Sequence, residues 1–142
     1  MKAKNSETEF IVTLTLIIAD IARSVAFYRD VLGAMVLREG EPTLLRLQNI
    51  WITINNSGGG KDDKPEVIAS PPKDLNMLSS FINLRVADIQ RCYELWRSRG
   101  AKFITEPKVH QPEKRCYMRD PDGYLIEVGQ TTFTKTPLDV YR

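Results

Sequence analysis

The same strand-to-helix junction occurs twice in this chain of 142 residues. Ile18-Ala-Asp-Ile21 and Val86-Ala-Asp-Ile89 each follow an alternating apolar segment, and each places an Asp where a helix N-cap is expected. Both helical segments then run to a glycine, Gly33 or Gly100, which suits the left-handed backbone at a helix end. The repeat predicts that the two halves of the chain contain the same elements in the same order.

Alternation of apolar residues and turn residues predicts a βαβββ unit in each half. In the first unit we expect a helix at 21–32 and strands at 12–18, 34–39, 43–47 and 50–55. In the second we expect a helix at 89–99 and strands at 81–86, 101–104, 115–119 and 124–129. The units span 10–57 and 80–131 of one structural domain, with a loose tail at 1–9, a linker at 58–79 containing a brief strand at 66–69, and a C-terminal tail at 132–142.

The apolar residues of each predicted strand share one face, which must pack under the helices. The predicted fold class is therefore α+β, with two βαβββ modules forming a cupped, mostly antiparallel mixed sheet and the helices on its outer face. The opposite face carries the candidate ligand-binding residues Thr13, Thr15, Trp51, Thr53, Asn55, Phe81, Asn83, Arg85, Arg115, Tyr117 and Glu127. A polar, twisted sheet can hold a small molecule in a cleft or can simply face water, and the aromatic residues among these favour a cleft.

A single carboxylate, Glu127, lies in the middle of the apolar last strand, directly after the turn Asp120-Pro-Asp-Gly123. Burying it unpaired would be costly, so we expect it to face water, a cationic partner or a metal ion. Arg85 and Arg115 are neighbours by register and could pair with it, or could bind polar groups of a ligand together with it. A further hypothesis makes Glu127 catalytic, as a general base whose pKa is raised by aromatic surroundings.

Composition argues against several classes of function. The formal charge is +2 and no basic stripe with interleaved aromatic residues occurs, which disfavours nucleic-acid binding. No apolar run approaches the roughly 18 residues that span a bilayer, and the polar N-terminus lacks a signal-peptide pattern, so a cytoplasmic location is expected. Cys92 and Cys116 are expected to be free thiols, and His110, the only histidine, is expected in a solvated loop.

The segment from Asp20 to Gly33, the Ala87-Asp88-Ile89 junction and the segment from Asp120 to Glu127 resemble the vicinal oxygen chelate superfamily. This superfamily includes glyoxalase I, bleomycin-resistance proteins, fosfomycin-resistance enzymes and extradiol dioxygenases. The resemblance covers about residues 10–131. It implies paired βαβββ modules, usually in a homodimer, and in metal-dependent members a divalent ion held from four equivalent strand positions.

The resemblance places those four positions at Thr13, Thr53, Phe81 and Glu127. Metal-dependent members typically have His or Gln at the first position and His at the third, and this chain departs from that pattern. A Thr hydroxyl is a poor ligand for a catalytic metal, and Phe offers no ligand atom. Glu127 is then the only matching metal position, and no cofactor is expected.

These observations favour a metal-free protein that binds a small organic molecule, aromatic or cationic, in the cupped sheet. The loop at Gly58–Gly60 would be a flap over the cleft or a plain linker. The alternative is a lyase or dioxygenase of the glyoxalase I type, with a degenerate site that holds Zn, Ni, Mn or Fe at Glu127, with or without His110. A third hypothesis is a small dimeric scaffold that binds no ligand.

Overall fold

A computed structural model of the protein describes residues 7–142, so most of the expected loose tail at 1–9 lies outside the described residues. The first half contains one helix, α1 (Ile21–Ala26), which continues as a π-helical turn (Phe27–Val31). Its strands are β1 (Thr13–Ile18), β2 (Met35–Arg38), β3 (Thr43–Leu47) and β4 (Ile50–Asn56). The second half contains α2 (Ile89–Ser98) and the strands β5 (Ile82–Arg85), β6 (Lys102–Phe103), β7 (Lys108–His110), β8 (Glu113–Arg119) and β9 (Leu125–Thr131). A 3-10 turn, Asp139–Tyr141, follows in the C-terminal tail.

The residues predicted to begin and end the two helices have the predicted roles. The side chains of Asp20 and Asp88 each accept a hydrogen bond of 3.1 Å from a backbone N–H in the first helical turn. After each helix the chain passes through a glycine with positive φ, +81° at Gly33 and +102° at Gly100. The first helix differs from the prediction because its last part widens into the π-helical turn, which contains the fully buried ring of Tyr28.

Both halves contain a path of four strands with the same topology, and β7 adds a fifth strand to the second sheet by pairing with β8. The strand orders are β1-β4-β3-β2 and β5-β9-β8-β6, and in each sheet the first two neighbours are parallel while the others are antiparallel. Within residues 7–142 no strand of one half pairs with a strand of the other. The α+β fold is confirmed, and its hydrogen bonding divides into two mixed sheets. None of the helices in the described part of the chain has the length and apolar character needed to cross a membrane.

Four local predictions were wrong. The segment at 66–69 forms no strand and contributes only an isolated bridge between Gly58 and Ala69. The segment around His110, expected to be a loop, forms β7, which pairs with the early part of β8. Phe81 precedes β5 instead of lying within it, and β8 begins two residues earlier than the predicted strand, at Glu113.

The two halves are held together by the Asp120-to-Gly123 turn of the second. The hydroxyl of Tyr28 donates a 2.7 Å hydrogen bond to the buried Asp120 carboxylate. Asp122 accepts hydrogen bonds from the backbone N–H of Ala19 and from the hydroxyl of Ser24, at 2.9 and 3.1 Å. One apolar core cluster includes buried side chains from both halves. The turn therefore positions the second half against the first helix.

Candidate functional site

The register of β5, β9 and β8 arranges polar side chains in rows across the second sheet. Residues paired across neighbouring strands project to the same face of the sheet, as do alternate residues along a strand. The rows are Asn83, Glu127 and Tyr117, then Arg85, Gly129 and Arg115, then Thr131 and Glu113. We call these residues the polar face of the second half.

Glu127 lies at the centre of this face and is only 6% exposed. The hydroxyl of Tyr117 donates to its Oε1 at 2.6 Å, and Arg85 Nη1 donates to its Oε2 at 3.2 Å. Burial and the hydrogen bond to Glu127 raise the pKa of Tyr117 to about 12, so this hydroxyl keeps its proton at neutral pH. Both carboxylate oxygens are thus bonded, which explains how the strand accommodates a buried acid.

The Arg85 guanidinium connects Glu127 with Glu113. Its Nη1 atom lies 2.8 Å from Glu113 Oε1, and its Nη2 atom donates to the Thr131 hydroxyl at 3.2 Å. The other oxygen of Glu113 accepts from Arg115 Nη1 at 3.1 Å. Burial by itself would raise the pKa of Glu113, but the hydrogen bonds from Arg115 and Arg85 outweigh it and hold that pKa below its ordinary value. Two arginines and two glutamates therefore form one charge-balanced network.

Gly129 makes room for the Arg85 guanidinium. A Cβ atom built on Gly129 would lie 1.9 Å from Arg85 Nη1 and 2.7 Å from Cζ. Both distances are far below van der Waals contact, so a larger residue would force the guanidinium away from Glu127. Glycine is therefore needed at position 129, because any side chain there would occupy the space of the Arg85 guanidinium.

A cavity of about 420 Å³ opens over this face. Its floor is formed by polar side chains, and the C-terminal tail provides part of its wall. The lining residues are Asn83, Arg85, Pro112, Glu113, Glu127, Thr131, Phe133, Val140 and Tyr141. All of them belong to the second half or to the tail. Its volume falls in the range of small-molecule sites.

The structure divides the residues predicted for the site into two groups. Six of them lie together in the second half: Glu127, then Asn83, Arg85, Arg115 and Tyr117 on the same polar face, and Phe81, whose ring centroid lies 6.1 Å from that of Tyr117. The others, Thr13, Thr15, Trp51, Thr53 and Asn55, lie on one face of β1 and β4 in the other sheet. In the described part of the chain, no hydrogen bond or ring contact joins the second group to Glu127.

The first-half face has its own cation–aromatic contact. The Arg46 guanidinium lies 4.9 Å from the centroid of the Trp51 ring, and the two residues are paired between β3 and β4. Arg46 was not among the predicted site residues, although its alternation within β3 would have placed it on that face. The sequence interpretation also missed residues of the second half and the tail: Pro112, Glu113, Gly129, Thr131, Phe133, Val140 and Tyr141.

The donor set around Glu127 does not fit a divalent metal ion. Its carboxylate is bonded to Arg85 and Tyr117, and Phe81, at another of the predicted metal positions, has no ligand atom. His110 lies on the edge strand β7, opposite Glu113. Across residues 7–142, no group of three or more His, Cys, Asp or Glu side chains is placed to hold a metal ion. The described side chains around Glu127 supply hydrogen bonds and charge pairing to one another.

Comparison with known proteins identifies the family. Residues 10–128 match the Glyoxalase/Bleomycin resistance protein/Dioxygenase superfamily. The chain belongs to this superfamily. A superfamily relative from Synechocystis sp., a probable lactoylglutathione lyase, is 30% identical over 89% of this chain and 98% of its own length. The metallothiol transferase FosB of Staphylococcus epidermidis is 26% identical over 81% of this chain and 78% of its own length.

Solved structures of the superfamily share the fold. A glyoxalase/bleomycin resistance protein/dioxygenase from Nocardioides superposes with a TM-score of 0.71, covering 92% of this chain and 89% of its own. Its sequence identity is 18%, so this likeness concerns the fold alone. The family match over residues 10–128 and the 30% identity to the Synechocystis relative confirm the predicted resemblance to the superfamily. The activity has to be argued from the side chains of this chain, because this fold supports unrelated chemistries.

Proposed function

We propose that this superfamily member binds a small organic molecule on the polar face of its second half, and that it does so without a metal ion. The observation that carries the proposal is the position of Glu127 at the floor of the cavity, held between Arg85 and Tyr117. In this arrangement the guanidinium already supplies the positive charge that a buried carboxylate requires. A metal ion would have to displace it.

The floor of the cavity is ordered before any ligand arrives. The Arg85 side chain is only 16% exposed and contacts both Glu127 and Glu113, which fixes the direction of its remaining N–H groups. Each oxygen of these two carboxylates has one partner on the polar face and retains capacity to accept from a ligand. Pre-positioned polar groups reduce the entropy lost on binding, which is the property expected of a recognition site.

Screening by ligand-observed NMR on protein dialysed against EDTA tests this function. We expect compounds from a small-molecule library to bind the metal-depleted wild type, and Glu127→Gln to weaken their binding because Arg85 loses its charged partner. Glu94→Gln, which changes an exposed helical glutamate, is the matched control and should leave binding unchanged. The proposal fails if no compound binds, or if the two variants bind alike.

The second candidate is a metal-dependent lyase or dioxygenase with a degenerate site at Glu127. It is favoured by one observation, the 30% identity to a protein named as a probable lactoylglutathione lyase. Glu127 would be the catalytic or metal-binding residue in that case. Purified protein would then contain near-stoichiometric Zn, Ni, Mn or Fe, and Glu127→Ala would remove it. The donor set around Glu127 gives this candidate no structural support.

The proposal includes a cytoplasmic homodimer that binds neither nucleic acid nor membranes. The small net charge supports the last two expectations. Exposed apolar side chains at Phe10, Ile11 and Val12 offer surface that a second copy could cover. Light scattering during size-exclusion chromatography tests the dimer, and a monomeric mass would exclude it.

A further inference from the structure

We infer that the first-half face, the side of the first sheet opposite the core, binds an oxyanion through Arg46 stacked on Trp51, and that the ligand is a small organic carboxylate or phosphate. This inference rests on the proposed function and names the class of its ligand. It holds whether the second-half polar face that contacts the rest of the ligand belongs to the same chain or to a second copy. It differs in the charge of the ligand from the sequence-based expectation of an aromatic or cationic compound.

The register of the first sheet determines which side chains share this face. Residues paired across neighbouring strands project to the same side, and the alternate residues of β4, Ile52 and Ile54, are fully buried on the core side. The first-half face consists of three rows: Thr13, Trp51, Arg46 and Met35, then Thr15, Thr53 and Leu44, then Ile17 and Asn55. The face therefore presents hydroxyl groups, one indole and one guanidinium on the side away from the core.

The guanidinium of Arg46 is held in a fixed orientation on this face. Its central carbon lies 4.9 Å from the centroid of the Trp51 ring, and its Nε donates to the carbonyl of Gln48 at 3.1 Å. The side chain is nevertheless exposed, and its Nη1 and Nη2 groups have no partner among the described residues. Two parallel N–H donors at the end of an oriented guanidinium match two oxygens of a carboxylate or a phosphate.

The positive charge of the first-half face is not compensated. Within residues 7–142, Arg46 forms no ion pair, and neither does Arg38, which pairs with Leu44 at the edge of the same sheet. In the second-half network, by contrast, two arginines balance two glutamates. A ligand that contacts both faces therefore meets an excess of positive charge, which attracts an anion and disfavours a cation.

The neighbours of Arg46 suit the remainder of such a ligand. The hydroxyls of Thr13 and Thr53 form no hydrogen bond within the described part of the chain, so they can donate to a further oxygen of the anion. Met35, which pairs with Arg46, is 63% exposed and can adapt its flexible side chain to an apolar group. The face thus combines donors for an oxyanion with apolar surface for its organic part.

Three probes of similar size test the ligand class. Benzoate, phenyl phosphate and the neutral benzamide are titrated into the full chain and followed through the Trp51 indole N–H signal in proton–nitrogen NMR spectra. At least one anion should bind roughly tenfold more tightly than benzamide, and the tighter anion distinguishes a carboxylate from a phosphate ligand. Equal binding of benzamide and both anions overturns the inference, as does an absence of anion binding up to about 10 mM. An equal shift of the Trp96 indole signal overturns the placement on this face.

Variants of Arg46 test its role directly. Arg46→Gln should weaken binding of the tighter anion about tenfold, and Arg46→Lys should restore only part of the affinity because Lys keeps the charge but lacks the paired donors. Arg97→Gln is the matched control, since Arg97 is also exposed and its guanidinium carbon lies 5.2 Å from the Tyr93 ring centroid, but on α2. Equal losses of affinity in Arg46→Gln and Arg97→Gln would show a general charge effect and overturn the inference.

Compounds found by the NMR screen separate this inference from the proposed function. If Glu127→Gln weakens their binding while Arg46→Gln changes neither their binding nor that of the anionic probes, the proposed function stands and this inference is overturned. If Glu127→Gln has no effect on any compound, the proposed function itself fails, even where Arg46 binds an anion. Loss of affinity in both variants supports both.

Discussion

Replacing Gly129 by Ala should reveal whether the Arg85 guanidinium really occupies the centre of the polar face. In an ordinary strand this change would stabilise the protein by about 0.5–1 kcal/mol, because Gly lowers strand stability relative to Ala. Here the new Cβ would lie 1.9 Å from Arg85 Nη1, so the guanidinium has to move. Its displacement breaks the contacts with Glu127 and Glu113, and removing a partner from a buried ion pair costs about 3–5 kcal/mol.

The expected net destabilisation by Gly129→Ala is smaller than the figure of about 3–5 kcal/mol for a fully buried ion pair. The displaced guanidinium can reach water, and Glu127 keeps its hydrogen bond from Tyr117, so we expect about 2 kcal/mol from the broken pair. Replacing Gly by Ala in a strand gains about 0.5–1 kcal/mol, and subtracting this gain leaves the Gly129→Ala protein destabilised by about 1–1.5 kcal/mol in urea unfolding. A lower free energy of unfolding for Gly129→Ala indicates a clash with Arg85, whereas a higher one would indicate strand propensity alone.

A double-mutant cycle supplies the control. In an Arg85→Ala background no guanidinium blocks the new methyl group, so Gly129→Ala should become neutral or stabilising. The coupling free energy between the two positions should therefore be about 2 kcal/mol. The same free-energy change for Gly129→Ala in both backgrounds would refute the placement of Arg85.

Three further outcomes follow from the described contacts. Tyr117→Phe should destabilise the protein by about 1.5–3 kcal/mol in urea unfolding, because a hydrogen bond to a buried charged group is lost. Tyr124→Phe removes a hydrogen bond to a neutral backbone carbonyl and should destabilise the protein less. Equal losses of stability in the two variants would contradict this ranking. Folding lowers the pKa of Glu113, so ionised Glu113 stabilises the fold above its ordinary pKa of 4.5, and this contribution is lost as the pH falls through the lowered folded-state value. The stability gap between wild type and Glu113→Gln should accordingly narrow below about pH 4.5, as measured by urea unfolding at several pH values, and a constant gap would contradict the network. Asp122→Ala should destabilise the protein by about 2 kcal/mol or more, since the turn loses its bonds to Ala19 and Ser24, and an effect below about 0.5 kcal/mol would show that the turn does not hold the halves together.

The repeated architecture could be predicted because its signals are local. Asp20 and Asp88 cap the helices through bonds to backbone groups three residues away, and the following glycines adopt the positive φ that a helix end requires. Alternation along the last strand placed Glu127 on the face opposite the core for the same reason. These features depend on neighbouring residues and are therefore visible in the sequence.

The partners of Glu127 and the boundary of the cavity depend on longer-range contacts. Arg85 was predicted as a neighbour of Glu127 because register could be counted along two strands, but Glu113 was missed because the strand was expected to begin at Arg115. The C-terminal segment shows no periodicity, so nothing local indicates that Phe133 and Tyr141 reach the polar face. The sequence predicted one cupped sheet from both halves, but the contacts that arrange the halves, such as Tyr28 to Asp120, join residues far apart in the chain.

Metal content and ligand affinity, measured on the same preparation, test the central claim most directly. The binding constant of a compound found by the NMR screen is determined by calorimetry before and after EDTA dialysis, with elemental analysis of both samples. The account predicts far less than one metal ion per chain and an unchanged affinity, because Arg85 already pairs with Glu127. Near-stoichiometric Zn, Ni, Mn or Fe that is lost in Glu127→Ala, with binding lost along with the metal, would contradict it.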